Sequence, residues 1–275
     1  MSQLVPSDSN EEEEAHPLED EGGSMGFLDH VEELRWTLLK PLGVFIVSFV
    51  LVMIFIADVK DLLMWPLVQT MTDEDRKAFE GLATRNMMGV YSAMFHIGLI
   101  VGVGIASPFL VYNVGRFLAP ALNAKERMIL VPGSIAVFIL FLLGCSFSFF
   151  LLLPQAIDIT IWFNAMMGFQ IIWSPDSYFG FITWIVLGMG VAFQFPVVVI
   201  VLIHLNIVTV QMLRSFRRYM VMILIVAAAI LTPPDPVTQV MMAVPMYLLY
   251  ELSIWVAAIL TARRKRKEEE EDALY

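Results

Sequence analysis

Four stretches of this chain contain no Asp, Glu, Lys or Arg: residues 41–57, 86–115, 128–157 and 177–213. The hydrocarbon interior of a membrane offers no water to backbone N–H and C=O groups, so apolar runs of about 20 residues there must be helical. Hydrophobic residues make up 58% of the 275 residues and charged residues 16%. In soluble domains the hydrophobic fraction is nearer 45–50% and the charged fraction is about 25%. The sequence therefore predicts an all-α, polytopic membrane protein.

The apolar runs and the turn-forming residues between them predict six membrane spans. Spans 1 to 4 are expected at about 40–57, 86–118, 124–153 and 177–206. Pro154 is expected to end span 3, and Pro196 to kink span 4. An amphipathic segment, 25–40, leads into span 1. The loop after span 1 is expected to contain a short helix with Thr72 as its N-cap.

Spans 5 and 6 form a short hairpin around a proline-rich turn. Between Arg218 and the Pro-Pro-Asp-Pro sequence at 233–236 there is barely enough chain for one crossing. Asp235 is expected to cap span 6, with Pro236 in its first turn, and span 6 is expected to end near 262. So short a hairpin should thin the bilayer locally or border a wet cavity.

Charge composition divides the chain into three segments. Residues 1–23 form an acidic tail that is predicted to be disordered, 24–262 the transmembrane domain, and 263–275 a charged C-terminal tail. The acidic N-terminal segment lacks the basic region of a secretory signal, so no cleaved signal is expected. The one cysteine, Cys145, lies in an apolar run and implies no disulfide framework.

The distribution of basic residues predicts the orientation. With both termini on one side, thirteen of the 17 Lys and Arg residues fall on that side. Cytoplasmic loops carry such an excess, so both termini are expected in the cytoplasm and the protein in the plasma membrane.

Catalytic and metal-binding patterns are not found. The sequence has no nucleophile-elbow, zinc-protease or P-loop motif, so we predict neither an enzyme nor a bound cofactor. A metal site is not expected because the histidines are scattered. They are His16, His30, His96 and His204. Gly98 and Gly102 are expected to serve close helix packing.

Several polar residues lie within or beside the spans. The position of Glu33 is typical of a solvated helix face, and Glu126 has capping-box spacing from Asn123. Gln194 and Glu251 lie in apolar helices, so each must face protein or water. For Gln194 we expect a concavity shared with the hairpin of spans 5 and 6.

Five short motifs occur in order along the chain. They are FLDHVEELR at 27–35, FLAPAL at 117–122 followed by KER at 125–127, FQFP at 193–196, LTPPDPVTQ at 231–239 and PMYLLYE at 245–251. Together they resemble the TatC family of twin-arginine translocase receptors. The resemblance implies six helices in a concave, glove-like bundle. It also implies export of folded proteins driven by the proton-motive force.

The resemblance implies partners and site residues as well. The partners are the single-span proteins TatA and TatB, twin-arginine signal peptides, membrane lipid and further copies of the chain; nucleic acid is not among them. Glu33 and Glu126 are expected to receive the paired arginines, with Phe117 and Arg35 beside them. The remaining implied positions are the intramembrane or partner-contact residues Gln194, Thr232, Asp235, Gln239 and Glu251, and the structural Pro66. The sequence departs from the family at Gln194, where glutamate is common, and at Trp36, where a basic residue is common.

Two other functions fit the composition. A small-solute or ion transporter would use Gln194 and Glu251 as parts of a polar path, but it needs polar residues at several depths and they are sparse here. An intramembrane hydrolase would need a nucleophile and a base in reach of each other, and no such pair is evident.

Overall fold

A computed structural model describes residues 27–71, 81–84, 86–118, 124–169, 171–204, 207–232 and 235–272. These residues contain helices and no strand, as the sequence predicts. The helices are α1 (Phe27–Ile54), α2 (Ile56–Leu63), α3 (Trp65–Thr70), α4 (Met87–Leu118), α5 (Ala124–Phe147), a π-helical turn (Ser148–Leu152), α6 (Leu153–Met167), α7 (Pro175–Ala192), α8 (Phe195–His204), α9 (Val210–Ser215), α10 (Arg217–Leu231) and α11 (Pro236–Asp272).

Five segments of the described chain are long and apolar enough to cross a membrane. They are Leu34–Ile54, Met87–Phe117, Gly133–Met167, Pro175–Ile203 and Pro236–Ile259. Helix α10 has only 15 residues. It lies before the last of these five segments and completes a set of six crossings. Successive crossings alternate in direction, so the start of α1, the ends of α4 and α8, and the starts of α5 and α10 share one end of the bundle. We name it the α1 end.

The first crossing and the amphipathic segment before it form one continuous helix, α1, with Pro41 inside it. Two short helices then cover the far end of the bundle. Pro66 occupies the first turn of α3, where its missing N–H costs no helical hydrogen bond, and it is buried there. The hydroxyl of Tyr178 donates to the carbonyl of Leu63 at 3.1 Å and fastens this cover to α7. The N-cap predicted at Thr72 lies outside the described residues.

The prediction that Pro154 ends span 3 is wrong. The crossing continues from α5 through a π-helical turn into α6, which has Pro154 in its first turn. At this turn the N–H of Leu153 bonds to the carbonyl of Ser148, five residues earlier. The wider turn accommodates the proline without a break, as π-bulges in long helices do.

The chain breaks at Pro196, as predicted. Helix α7 ends at Ala192, Phe193 and Gln194 form a turn, and α8 begins at Phe195. Proline cannot donate to the preceding turn, so the helix restarts with Pro196 near its beginning.

The proline-rich turn caps α11 as predicted. A carboxylate oxygen of Asp235 accepts the backbone N–H of Thr238 at 2.8 Å, and the Thr238 hydroxyl bonds to the other oxygen. Pro236 is the first residue of α11. The helix does not end near 262 but continues to Asp272, because residues 263–272 are all Lys, Arg, Glu or Asp, mostly strong helix formers.

Glycines bring pairs of helices close together. A Cβ on Gly98 would overlap the ring of Phe49, and one on Gly102 would lie 3.0 Å from the ring of Phe45, so the G-x-x-x-G does pack α4 against α1. On α5, a Cβ at Gly144 would lie 2.7 Å from the carbonyl oxygen of Met189 on α7. Both crossings thus depend on the absence of a side chain.

The buried side chains form two clusters. The first joins α1 to α4 with α6 and α7 and includes Leu67, Ile157 and Ile182. The second joins α8 to α11 with Leu152 of the π-helical turn and Met189 of α7. Helix α7 contributes side chains to both clusters and so joins them.

Candidate functional site

A groove opens at the α1 end, between α1 and the last turns of α4. It has a volume of about 340 Å³, and we name it the polar groove. Its lining consists of Glu32, Trp36, Thr37, Lys40, Asn113, Arg116 and Phe117. The two helices meet here because Gly98 and Gly102 let α4 approach α1 further along.

The acidic side of the polar groove is held by neighbours on α1. The Glu32 carboxylate accepts the indole N–H of Trp36 at 3.0 Å, and a guanidinium nitrogen of Arg35 lies 3.8 Å from it. Both members of this ion pair are more than half exposed, so the pair contributes little to stability. Arg35 is thus directed along the helix surface toward Glu32.

The basic side of the polar groove is formed by Lys40 and Arg116. Among the described side chains, no carboxylate lies within 4.0 Å of either cation. The polar groove therefore has one carboxylate and two cations in its lining, and among the described side chains neither cation has a carboxylate partner.

The predicted carboxylates belong to the same end of the bundle. Glu33 follows Glu32 on α1, and Glu126 lies in the first turn of α5. Phe117, which lines the polar groove, precedes that turn by a short connection. The backbone therefore gathers Glu33, Phe117 and Glu126 at the α1 end. Of the Glu33 and Glu126 side chains, and of capping by Asn123, the described structure says nothing.

Gln194 lies at the break between α7 and α8, half-buried. Its amide nitrogen donates to the backbone carbonyl of Val137 on α5 at 3.1 Å. Its amide oxygen is buried and accepts no hydrogen bond from the described residues. The amide nitrogen is therefore directed toward α5, and not toward the α10–α11 hairpin as we expected, because the turn before Pro196 rotates the side chain toward that neighbour.

Three further predicted residues lie at the far end of the hairpin. The Thr232 hydroxyl donates to the carbonyl of Ala228 at 2.9 Å and closes the end of α10. Asp235 is the cap of α11. The amide nitrogen of Gln239 donates to the carbonyl of Ile225 at 3.0 Å across the hairpin. These residues lie at the end of the hairpin opposite the polar groove. The Gln239 bond joins α10 to α11, whereas Thr232 and Asp235 each stabilise the end of one helix.

Comparison with known proteins decides the family. The family described as "Sec-independent protein translocase protein (TatC)" matches residues 29–245. The chain belongs to the TatC family. That match contains the helices that form the polar groove, the break at Gln194 and most of the hairpin.

Individual TatC proteins align with this chain along nearly their whole length. The chain is 33% identical to the TatC protein of Aquifex aeolicus over 249 residues, which cover 89% of this chain and 98% of that one. It is 32% identical to the protein of Desulforapulum autotrophicum, covering 90% and 89%. A crystal structure of the twin-arginine translocase receptor TatC superposes with a TM-score of 0.71 at 32% identity, covering 83% of this chain and 99% of that one. The chain is thus a membrane-spanning protein of the Tat protein-transport system.

One contact of this TatC chain was missed in the sequence. A guanidinium nitrogen of Arg217 lies 2.8 Å from the Glu251 carboxylate, whose other oxygen accepts the Tyr247 hydroxyl at 3.0 Å. A signal was present, since Arg217 and Glu251 are nearly equidistant from the prolines of the turn and a hairpin pairs such residues.

The same contact weakens the transporter alternative. Glu251 is directed to Arg217 on α10, whereas Gln194 is directed to α5. The two groups therefore do not face each other along a shared path. Among the described residues, no cluster of His, Cys, Asp or Glu could hold a metal ion.

Proposed function

We propose that this chain is the receptor and core subunit of a twin-arginine translocation complex. It binds twin-arginine signal peptides at the α1 end and exports folded proteins using the proton-motive force. It acts in the plasma membrane with both termini in the cytoplasm, together with TatA- and TatB-type single-span proteins and further copies of itself. The names of its relatives support the translocase role, and the polar groove supports the receptor role.

The polar groove is the observation that carries the proposal. A signal peptide that begins with paired arginines and continues with an apolar segment needs carboxylates beside an apolar surface. Glu33 and Glu126 supply the carboxylates at the α1 end, and Phe117 supplies an aromatic wall. A carboxylate accepts two parallel N–H bonds from a guanidinium, a geometry that lysine cannot reproduce.

The two cations that line the groove contribute to this selection. A guanidinium beside Lys40 or Arg116 is disfavoured relative to one beside a carboxylate, so the paired arginines are expected at the carboxylates.

Site-specific crosslinking tests the receptor role. A photoreactive residue replacing Asn113 in the polar groove should crosslink a twin-arginine signal peptide, and one replacing Leu62 at the far end should not. Glu33→Ala and Glu126→Ala should each reduce crosslinking by about tenfold or more, because a charge-assisted hydrogen bond contributes on the order of 1.5–3 kcal/mol. A signal with two lysines is the matched control and should crosslink weakly.

Glu126→Gln separates binding from capping. An amide can still cap the start of α5 but carries no charge. If Glu126→Gln binds the signal as well as the parent does, Glu126 is a capping residue and its receptor role is wrong.

The orientation is tested by labelling introduced cysteines after Cys145→Ala. An impermeant reagent applied from outside the cell should reach cysteines near Arg76 and Asp176. Labelling near Lys125 or Arg217 from outside would overturn the proposed orientation.

A further inference from the structure

A second, shallow groove lies on the surface of α1, and all of its lining residues belong to that helix. It has a volume of about 470 Å³, and we name it the apolar groove. Leu39, Val44 and Val47 form its walls, and Gly43 forms its floor. The groove exists because Gly43 has no side chain: a Cβ there would meet no atom within 4 Å.

The apolar groove joins the polar groove at Trp36 and Lys40, which line both. Trp36 is held in place by its hydrogen bond to Glu32. Across the junction lies Arg116, so two cations without a carboxylate partner among the described side chains flank one end of an apolar channel. Tryptophan at such a position is typical of the membrane–water interface.

We propose that the apolar groove and its basic end bind one anionic phospholipid. An acyl chain lies over Gly43 between Val44 and Val47, and the phosphate lies between Lys40 and Arg116. The charge complementarity between a lipid phosphate and these two cations is the main support for this assignment. The phosphate neutralises two cations at the edge of a low-dielectric region, and guanidinium binds phosphate through paired hydrogen bonds.

The headgroup decides the selectivity of this site. Lipid tails are as apolar as the groove walls, so exchanging one acyl chain for another releases little free energy. A zwitterionic headgroup carries its own cation, which competes with Lys40 and Arg116 for the phosphate. The site should therefore prefer phosphatidylglycerol to phosphatidylcholine and be indifferent to acyl-chain length. It goes beyond the proposed signal-peptide role and is measured without any signal peptide.

Native mass spectrometry of the full chain in an uncharged detergent tests the proposal. With equal amounts of phosphatidylglycerol and phosphatidylcholine, the parent should retain one lipid with a preference of about tenfold for phosphatidylglycerol, the effect of about one charge-assisted hydrogen bond. Lys40→Gln with Arg116→Gln should abolish the preference. Gly43→Leu should reduce retention of both lipids, because it fills the groove without changing any charge.

Lys60→Gln is the matched control, since it removes one positive charge from the far end, where Lys60 pairs with Asp61. It should leave the preference unchanged, and circular dichroism should show equal helix content in every variant. Equal retention of the two lipids by the parent would overturn the proposal. Loss of the preference in Lys60→Gln, or displacement of the lipid by millimolar inorganic phosphate, would also overturn it, because the first indicates net charge and the second a free-anion site.

Discussion

The contact between α5 and α7 at Gly144 offers a sharp test of the packing. A methyl group there would lie 2.7 Å from the carbonyl oxygen of Met189 and 3.0 Å from the Cα of Gly190. Both are backbone atoms of α7, so no side-chain rotation can relieve the overlap. Gly144→Ala must push the two helices apart by several tenths of an ångström.

The cost follows from that geometry. Inserting a methyl group into a tightly packed interface costs about 1–3 kcal/mol. Alanine also gains up to about 1 kcal/mol over glycine within a helix, which offsets part of the cost. At roughly 2–4 °C per kcal/mol for a chain of this size, the melting temperature should fall by a few degrees.

Cys145 provides the assay. It is the one cysteine of the chain, it neighbours Gly144, and its thiol donates to the Val186 carbonyl on α7 at 3.6 Å. A thiol-reactive dye added during heating in detergent therefore reports when α5 and α7 separate. The matched control is Gly104→Ala on α4, where a Cβ meets no atom within 4 Å, and it should melt at or above the parent temperature.

The comparison of the two alanine variants decides the outcome. If Gly144→Ala has the same melting temperature as Gly104→Ala, the close backbone approach between α5 and α7 is not present in the protein, and the reasoning fails.

Two further predictions concern polar contacts. Arg217→Gln and Glu251→Gln should each lower stability. A double-mutant cycle on thermal unfolding followed by circular dichroism should give a coupling of about 1 kcal/mol, since the pair is only partly exposed. Zero coupling would show that the ion pair is not formed. Gln194→Leu should insert normally and still crosslink a signal peptide, but it should impair export of a folded reporter, because the Val137 hydrogen bond at the α7–α8 break is lost. Gln194→Glu should retain export, and full export by Gln194→Leu would reduce Gln194 to a packing residue.

The spans could be predicted because they follow from rules that act along the chain. Charge-free runs located the crossings, and the turn at 233–236 located the hairpin and its Asp235 cap. The end of span 3 was wrong because a proline is normally a helix breaker, and whether a π-helical turn accommodates Pro154 depends on the tertiary packing of that crossing. The helix of span 6 was expected to end near 262 and instead continues to Asp272, because residues 263–272 are mostly good helix formers; its apolar crossing ends at Ile259.

Part of the polar groove lies in motifs that the sequence shows, and part is formed by contact between distant segments. The FLDHVEELR motif contains Glu32 and the FLAPAL motif begins at Phe117, and both residues line the polar groove. The groove lining from α4, Asn113 and Arg116, carries no motif and is defined only by the crossing at Gly98 and Gly102. The direction of Gln194 toward Val137 likewise depends on how the turn before Pro196 rotates the chain.

The short helix α10 implies that copies of the protein attract each other through the surrounding lipid, without a direct contact between them. Its 15 residues span about 22 Å, against a hydrocarbon core of about 30 Å. At a fraction of a kcal/mol per ångström, the lipid around it stores on the order of a few kcal/mol of elastic deformation. Two hairpins placed side by side share one deformed annulus of lipid and release part of that energy. Clustering should therefore strengthen in bilayers of longer acyl chains and weaken in thinner ones.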